Sequence, residues 1–153
     1  LKRNLTDLSA IVFQRWRIRI MNTLILENNP KELSRLGHWL ESFTQDYHLD
    51  DKVSFKMELA VTEAVSNIID YAYDSKRCVF SVASEIVDNA IIIELKDNGR
   101  PFNPLASPDV ELTDNLGEAK IGGLGIHLIR NYTDEWFYQR ENSTNKLKIT
   151  ISL

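Results

Sequence analysis

Residues 62–73, "TEAVSNIIDYAY", combine an apolar helical period with side chains that could do chemistry. At about 100° per residue, Glu63, Asn67, Asp70 and, just beyond, Asp74 fall in one narrow stripe. Met57, Val61, Ala64, Val65, Ile68 and Ala72 cluster on the opposite side, so core and polar faces are well separated. For a helix taken alone, a solvated polar face is the commoner explanation. Such a face usually mixes acids with Lys or Arg at i, i+4, and here only Lys56 is close. Carboxylates and a carboxamide without a basic partner form an oxygen-donor set that suits a hydrated Mg²⁺. Glu63 could then orient or deprotonate an attacking hydroxyl or water.

Two glycine-bearing segments offer complementary chemistry. In "LKDNGRPFNP" (95–104), Asp97 ends an apolar run and Gly99 follows two residues later. A carboxylate at a strand end can accept a hydrogen bond from an exocyclic amine, and glycine lets a flat ring approach the backbone. The bland alternative is a turn, since Asp, Asn, Gly and Pro are turn residues. In "KIGGLGIHLI" (120–129), three glycines precede an apolar helical run, with Lys120 beside them. Backbone N–H groups at such a helix start suit phosphate oxygens, and a plain hinge is the competing explanation. Neither the Walker spacing nor the dinucleotide GxGxxG spacing is present. His38, His48 and His127 share no spacing and are expected at the surface or on helices. Trp16, Trp39 and Trp136 are expected to pack in the core or at an interface.

These side chains need elements to position them. Residues 17–26 alternate partly and predict a strand. A helix is predicted over 29–47, with Asn29 as N-cap and Pro30 at its first position, and Leu33, Leu36, Leu40 and Phe43 as its apolar stripe. A second helix is predicted from Lys52 to Tyr73. Residues 78–86 and 90–97 are β-branched and apolar around a turn-like "VDN", which predicts an antiparallel hairpin. After Asp97 the chain is rich in Gly, Pro, Asn, Ser and Asp until about Ile121, a loop long enough to be a lid or binding element. A short helix around Gly125 and strands over 135–141 and 146–153 complete the chain. This order predicts an α+β fold, a two-layer sandwich with helices on one face of a mixed, mostly antiparallel sheet.

With 153 residues, 43% hydrophobic, the chain can bury one substantial core, and no linker or repeat divides it. Residues 1–16 are expected to be an N-terminal extension or linker, and a first residue of Leu1 suggests a piece of a longer chain. A net charge of −4 argues against non-specific nucleic-acid binding. Cys78 is the single cysteine, which excludes a disulfide framework and fits a reducing, cytoplasmic setting. The apolar runs are too short to span a bilayer.

Taken in order, the three segments carry a resemblance that none carries alone. The acidic-amide helix, the D-x-G strand end, the long loop and the glycine turn resemble the GHKL ATP-binding superfamily. The likeness is greatest to the anti-sigma-factor serine kinases of bacterial partner-switching systems, over residues 17–153. "ELAVTEAVSNIIDYAY" resembles the E-x-x-x-N helix box, "DNGRPF" the D-x-G-x-P-F box and "GGLGIHLI" the final glycine box. The resemblance implies ATP and Mg²⁺ as cofactors, with Asn67 as the metal ligand and Glu63 as catalytic base or orienter. It implies that Asp97 recognises the adenine amine, with Gly99 and Phe102 in the same box. Lys120, Gly122, Gly123, Leu124 and Gly125 would meet the phosphates, and residues 103–122 would form the lid. The family's Gly-Thr pair before the last strand is missing, so Thr144 or Thr150, the latter preferred, would supply the last adenine contact. Tyr71 stands where many relatives carry histidine, and the lid is acidic through Asp109, Glu111, Asp114 and Glu118. Arg100 and Arg130 are further candidate cations.

The implied activity is transfer of the ATP γ-phosphate to a serine or threonine of an anti-sigma-factor antagonist, coupled to capture of a sigma factor. A homodimer is also implied. Two alternatives stand beside it: a non-catalytic ATP-gated binding switch, and a detached histidine-kinase catalytic domain.

Overall fold

The computed structural model describes residues 21–74, 77–106 and 123–153. The expected extension at 1–16, the start of the first predicted strand and loop residues 107–122 lie outside them. Strand β1 is Asn22–Glu27, and the regular helix α1 is Glu32–Asp46. Lys31, not Asn29, flanks that helix, and its side chain makes no cap. Asn29 nonetheless organises the entry: its Oδ1 accepts from the Lys31 N–H at 3.0 Å and its carbonyl from the Glu32 N–H at 2.9 Å. Leu36, Leu40 and Phe43 are buried on α1, as the apolar stripe predicts. The Trp39 indole N–H donates to Asn22 Oδ1 at 3.2 Å and ties α1 to β1.

Helix α2 is Asp51–Asn67, and Ile68–Ala72 continue it as one π-helical turn. Asp50 is a strong N-cap, extended at φ −71° and ψ 159°, with its Oδ1 accepting from the Val53 N–H at 2.8 Å. Val53, Met57, Ala60, Val61, Ala64 and Val65 bury one face, and Ile68, Ile69 and Ala72 extend it through the π turn. The chain leaves the helix at Tyr73, whose backbone is extended.

Strands β2 (Val79–Val87) and β3 (Ala90–Asp97) form the expected hairpin, with Asp88 at φ +54° in the connecting turn. A 3₁₀ turn, Pro104–Ala106, follows. Helix α3, Gly123–Tyr132, takes in the last glycines of the glycine-rich segment. Strands β4 (Glu135–Glu141) and β5 (Thr144–Ser152) are joined by Asn142 and Ser143, both at positive φ (48° and 64°). Such a two-residue turn matches the twist of its strands and closes them tightly. β5 therefore begins at Thr144, two residues before the predicted start.

The sheet order is β1-β2-β3-β5-β4, antiparallel at every pairing of the described strands. The expected mixed character is absent among them. Leu26, Phe80, Val82, Ile91, Ile93, Leu95, Ile149 and Ile151 turn one face of the sheet into the core, where α1, α2 and α3 cover it. α2 lies between α1 and α3 and also meets β5. This helix layer over an antiparallel sheet is the two-layer sandwich that the residue pattern predicts.

Candidate functional site

The site lies where α2, β3, β5 and α3 converge. An apolar pocket is lined by Ala64, Asn67, Ile68, Tyr71, Leu95, Asp97, Phe102, Ile129, Tyr138, Asn145 and Leu147, among others. A more open and more polar cleft is lined by Glu63, Ser66, Asn67, Asp70, Tyr71, Gly125 and Leu128. Asn67 and Tyr71 belong to both, so the two spaces adjoin along one helix. An apolar pocket with a few convergent polar groups is the common form of a small-molecule site.

Asp97 is buried at the end of β3, 8% exposed. Its Oδ1 accepts the Gly99 N–H at 2.8 Å and the Asn145 amide at 2.9 Å. Gly99 is required by packing. A Cβ there would collide with the backbone of Ala72, and the Arg100 N–H donates to the Ala72 carbonyl at 2.7 Å. The D-x-G segment is thus sewn to the end of the π turn. Tyr73 adds a second stitch, its phenol oxygen accepting the Asn98 N–H at 3.0 Å. Burial pushes the Tyr73 phenol above its ordinary range, with the Asn98 N–H opposing and the Asp97 carboxylate adding to the rise.

On the other side, Gly125 brings the first turn of α3 against α2. A Cβ at Gly125 would sit 2.5 Å from Glu63 Oε2 and 3.7 Å from Asn67 Nδ2. The glycine box and the acidic-amide box, far apart in sequence, therefore meet. Neither Glu63 nor Asn67 has a hydrogen bond or ion pair among the described residues. Their oxygens remain open to a ligand, in a cleft shared with the Asp70 carboxylate. That donor set fits a hydrated Mg²⁺, which takes one or two protein oxygens and completes its shell with water and phosphate. No cluster of three or more His, Cys, Asp or Glu able to hold a metal occurs among the described residues, so a metal here would rely on such a mixed shell.

Several expectations are corrected. Asp74 does not continue the stripe: the wider π turn and the extended Tyr73 carry it off the helix, and it pairs with Arg100. Thr150 is not in the pocket. Side chains alternate along β5, and Asn145, Leu147, Ile149 and Ile151 take the inner face. Thr150 has the opposite parity and lines an open outer surface with Glu94, Phe137 and Lys148. Thr144 shares that parity and lies outside the apolar pocket, its hydroxyl donating to Asn98 Oδ1 at 2.8 Å. Phe102 lines the apolar pocket and is 40% exposed. Gly123 and Leu124 open α3, whereas Lys120, Gly122 and the acids of the expected lid lie outside the described residues. Arg130, a candidate phosphate cation, places its guanidinium 5.4 Å from the Trp136 ring centre.

Asn145, Tyr138 and Arg140 belong to the site without having been singled out from sequence. Asn145 is 5% exposed and stands in register with Asp97 across β3–β5. Its Oδ1 accepts from the Arg140 guanidinium at 2.6 Å and the Tyr138 hydroxyl at 2.8 Å. "NSTN" reads as a turn, so nothing local shows Asn145 to be a strand residue. Only the tight turn at Asn142–Ser143 does.

An apolar pocket with a buried carboxylate in its lining, beside an open Glu–Asn pair that faces a helix start, is an arrangement of the kind that suits a nucleotide. The profile of the histidine kinase-like ATPase domain family matches residues 26–151, and the chain belongs to that family. It is 25% identical over 114 residues to a serine/threonine-protein kinase, BtrW, of Bordetella bronchiseptica, covering 74% of this chain and 80% of that one. It is 30% identical over 102 residues to the serine-protein kinase RsbW of Staphylococcus epidermidis, covering 63% and 61%. To the anti-sigma F factor of Caldanaerobacter subterraneus subsp. tengcongensis it is 30% identical over 79 residues, covering 52% and 55%. The chain thus spans little more than half the length of these last two relatives. Among solved structures, the RsbU and RsbW domains of Rv1364c from Mycobacterium tuberculosis align with a TM-score of 0.60 at 12% identity, over 86% of this chain and 32% of that one. The histidine kinase domain of Erythrobacter litoralis EL346 aligns at 0.51 and 15% identity, over 79% and 60%. At these identities the structures speak for the fold.

Proposed function

We propose that the chain is an ATP-dependent protein serine/threonine kinase that acts as an anti-sigma regulatory factor. The observation that carries this is the approach of Gly125 to Glu63 and Asn67, which joins a phosphate-suited helix start to an uncommitted base and amide. In this reading the base occupies the apolar pocket with its amine toward Asp97. Asn67 and the first turn of α3 would hold the triphosphate. Asn67, with Asp70 nearby, would hold Mg²⁺, which would supply charge neutralisation at the phosphates. Glu63 orients the serine or threonine hydroxyl of an antagonist protein and takes its proton as the hydroxyl oxygen bonds to the γ-phosphorus and ADP leaves. The names of the three protein relatives support this substrate class and a sigma factor as second partner. No helix among the described residues is long and apolar enough to cross a membrane, and the lone Cys78 supports a cytoplasmic setting.

The test is transfer of radiolabelled phosphate from ATP to the cognate antagonist. Glu63→Gln should lower the rate by about 10²–10⁴-fold, the range of a lost general base. ATP affinity should stay within about threefold, because the residue acts mainly in the transition state. Absence of transfer by the wild type would overturn the kinase reading, and unchanged transfer by Glu63→Gln would overturn the role of Glu63 as base.

A second reading, an ATP-gated binding switch without catalysis, is favoured by one observation. Arg100 is engaged by Asp74 and Arg130 lies over Trp136, so both candidate phosphate cations already have partners. ATP-dependent capture of the partner without transfer by the wild type would establish it.

A further inference from the structure

The polar network behind Asp97 has a direction. Asn145 Oδ1 receives the Arg140 guanidinium at 2.6 Å and the Tyr138 hydroxyl at 2.8 Å. An amide nitrogen in that place would face the guanidinium donor, so the carboxamide cannot be turned over without losing the stronger, charge-assisted bond. Its Nδ2 must therefore point the other way, where it donates to Asp97 Oδ1 at 2.9 Å and to the Arg100 carbonyl at 2.8 Å. Arg140 also donates to the Gly99 carbonyl at 3.0 Å, which fixes the strand end from a second point. With the Gly99 N–H, two donors are directed to Asp97 Oδ1. Asp97 Oδ2 has no partner among the described residues, and Asp97 lines the apolar pocket.

We propose that Asn145, held by Arg140 and Tyr138, is a positioning residue that presents the second oxygen of Asp97 to the ligand as a pure hydrogen-bond acceptor and so selects a ring bearing an amine. This rests on the nucleotide-binding reading above. The locked pair has no donor to offer at that point. A 6-oxo purine would set its carbonyl oxygen against the carboxylate, and both would remain unpaired in a buried pocket. A 6-amino purine satisfies it. Asn145 thus takes up, from the core side and by direct contact with the carboxylate, a task that Thr150 on the outer face cannot perform.

Calorimetry with ATP, GTP and purine riboside triphosphate, which lacks the 6-amino group, separates a positioning role from a structural one. Asn145→Ala should weaken ATP binding about tenfold, as expected for a lost hydrogen bond to a charged group. Affinity for purine riboside triphosphate should stay within about twofold, since that ligand never made the bond. The ATP-to-GTP preference should fall by the same factor of about ten. Arg140→Met, which frees the amide to turn, should give the same selective loss at about threefold, and it carries the test if Asn145→Ala does not fold. Equal weakening of all three ligands by either variant would overturn the positioning role. Failure of the wild type to bind ATP at all would instead overturn the nucleotide reading beneath it.

Discussion

At the scale of single residues, the two glycines of the site are needed for different reasons, and substitutions should separate them. A Cβ at Gly99 meets backbone atoms of Ala72 that cannot rotate away. Gly99→Ala should therefore cost about 1–3 kcal/mol of stability, the range for overpacking, visible as a lower urea midpoint. A Cβ at Gly125 meets the end of the Glu63 side chain, which can swing aside. Gly125→Ala should leave the midpoint nearly unchanged while phosphate transfer falls, because Glu63 is displaced. Tyr73 gives a pH signature. Its pKa is raised in the fold by burial, so the folded state holds the phenol proton more tightly than the unfolded chain. That contribution is complete below the ordinary value of 10.0 and is lost as pH rises through the folded value. Urea midpoints measured from about pH 9 to 11 should fall less steeply for Tyr73→Phe than for the wild type.

Among the elements, α2 carries the most consequence, because one helix supplies core and also the amide and the carboxylate proposed above as metal ligand and base. Its N-cap, Asp50, is the only described group set to receive the Val53 N–H, at 2.8 Å. Asp50→Ala should cost about 1 kcal/mol by urea unfolding, with ATP affinity retained because the site lies at the far end. That far end is where the regular helix changes to a π turn, a feature often found at functional sites. The wider turn places Tyr71 on both the ring pocket and the polar cleft, and it leaves the Ala72 carbonyl available to Arg100. The β4–β5 turn matters equally. By closing over two residues it draws Asn145 into register with Asp97.

For the whole molecule, the sheet order explains why the site exists. Inserting β5 between β3 and β4 sets Asp97 beside Asn145, with Tyr138 and Arg140 on the next strand. α2 and α3 then close the space from above. A ligand held between layers stabilises both. Mg-ATP at about a hundred times its dissociation constant should add about 2.7 kcal/mol. For a domain of this size that corresponds to a rise of about 5–10 °C in Tm by scanning fluorimetry. Asn67→Ala should abolish the Mg²⁺-dependent part of the shift.

By itself, the sequence determined the parts governed by local periodicity and local chemistry. The apolar stripe of α1, the core face of α2, the β2–β3 hairpin and the separation of Glu63 and Asn67 from the core follow from spacings of two or of three and four residues. The three motifs in order also carried the family. Tertiary structure alone decided which of these parts meet. The glycine turn reaches Glu63 only because α3 packs on α2. Thr150 faces outward because a strand alternates from a starting point set by a turn several residues earlier. Asp74 finds Arg100 because a π turn breaks the helical count. Asn145 becomes the partner of Asp97 because antiparallel register, a contact between distant segments, places them side by side.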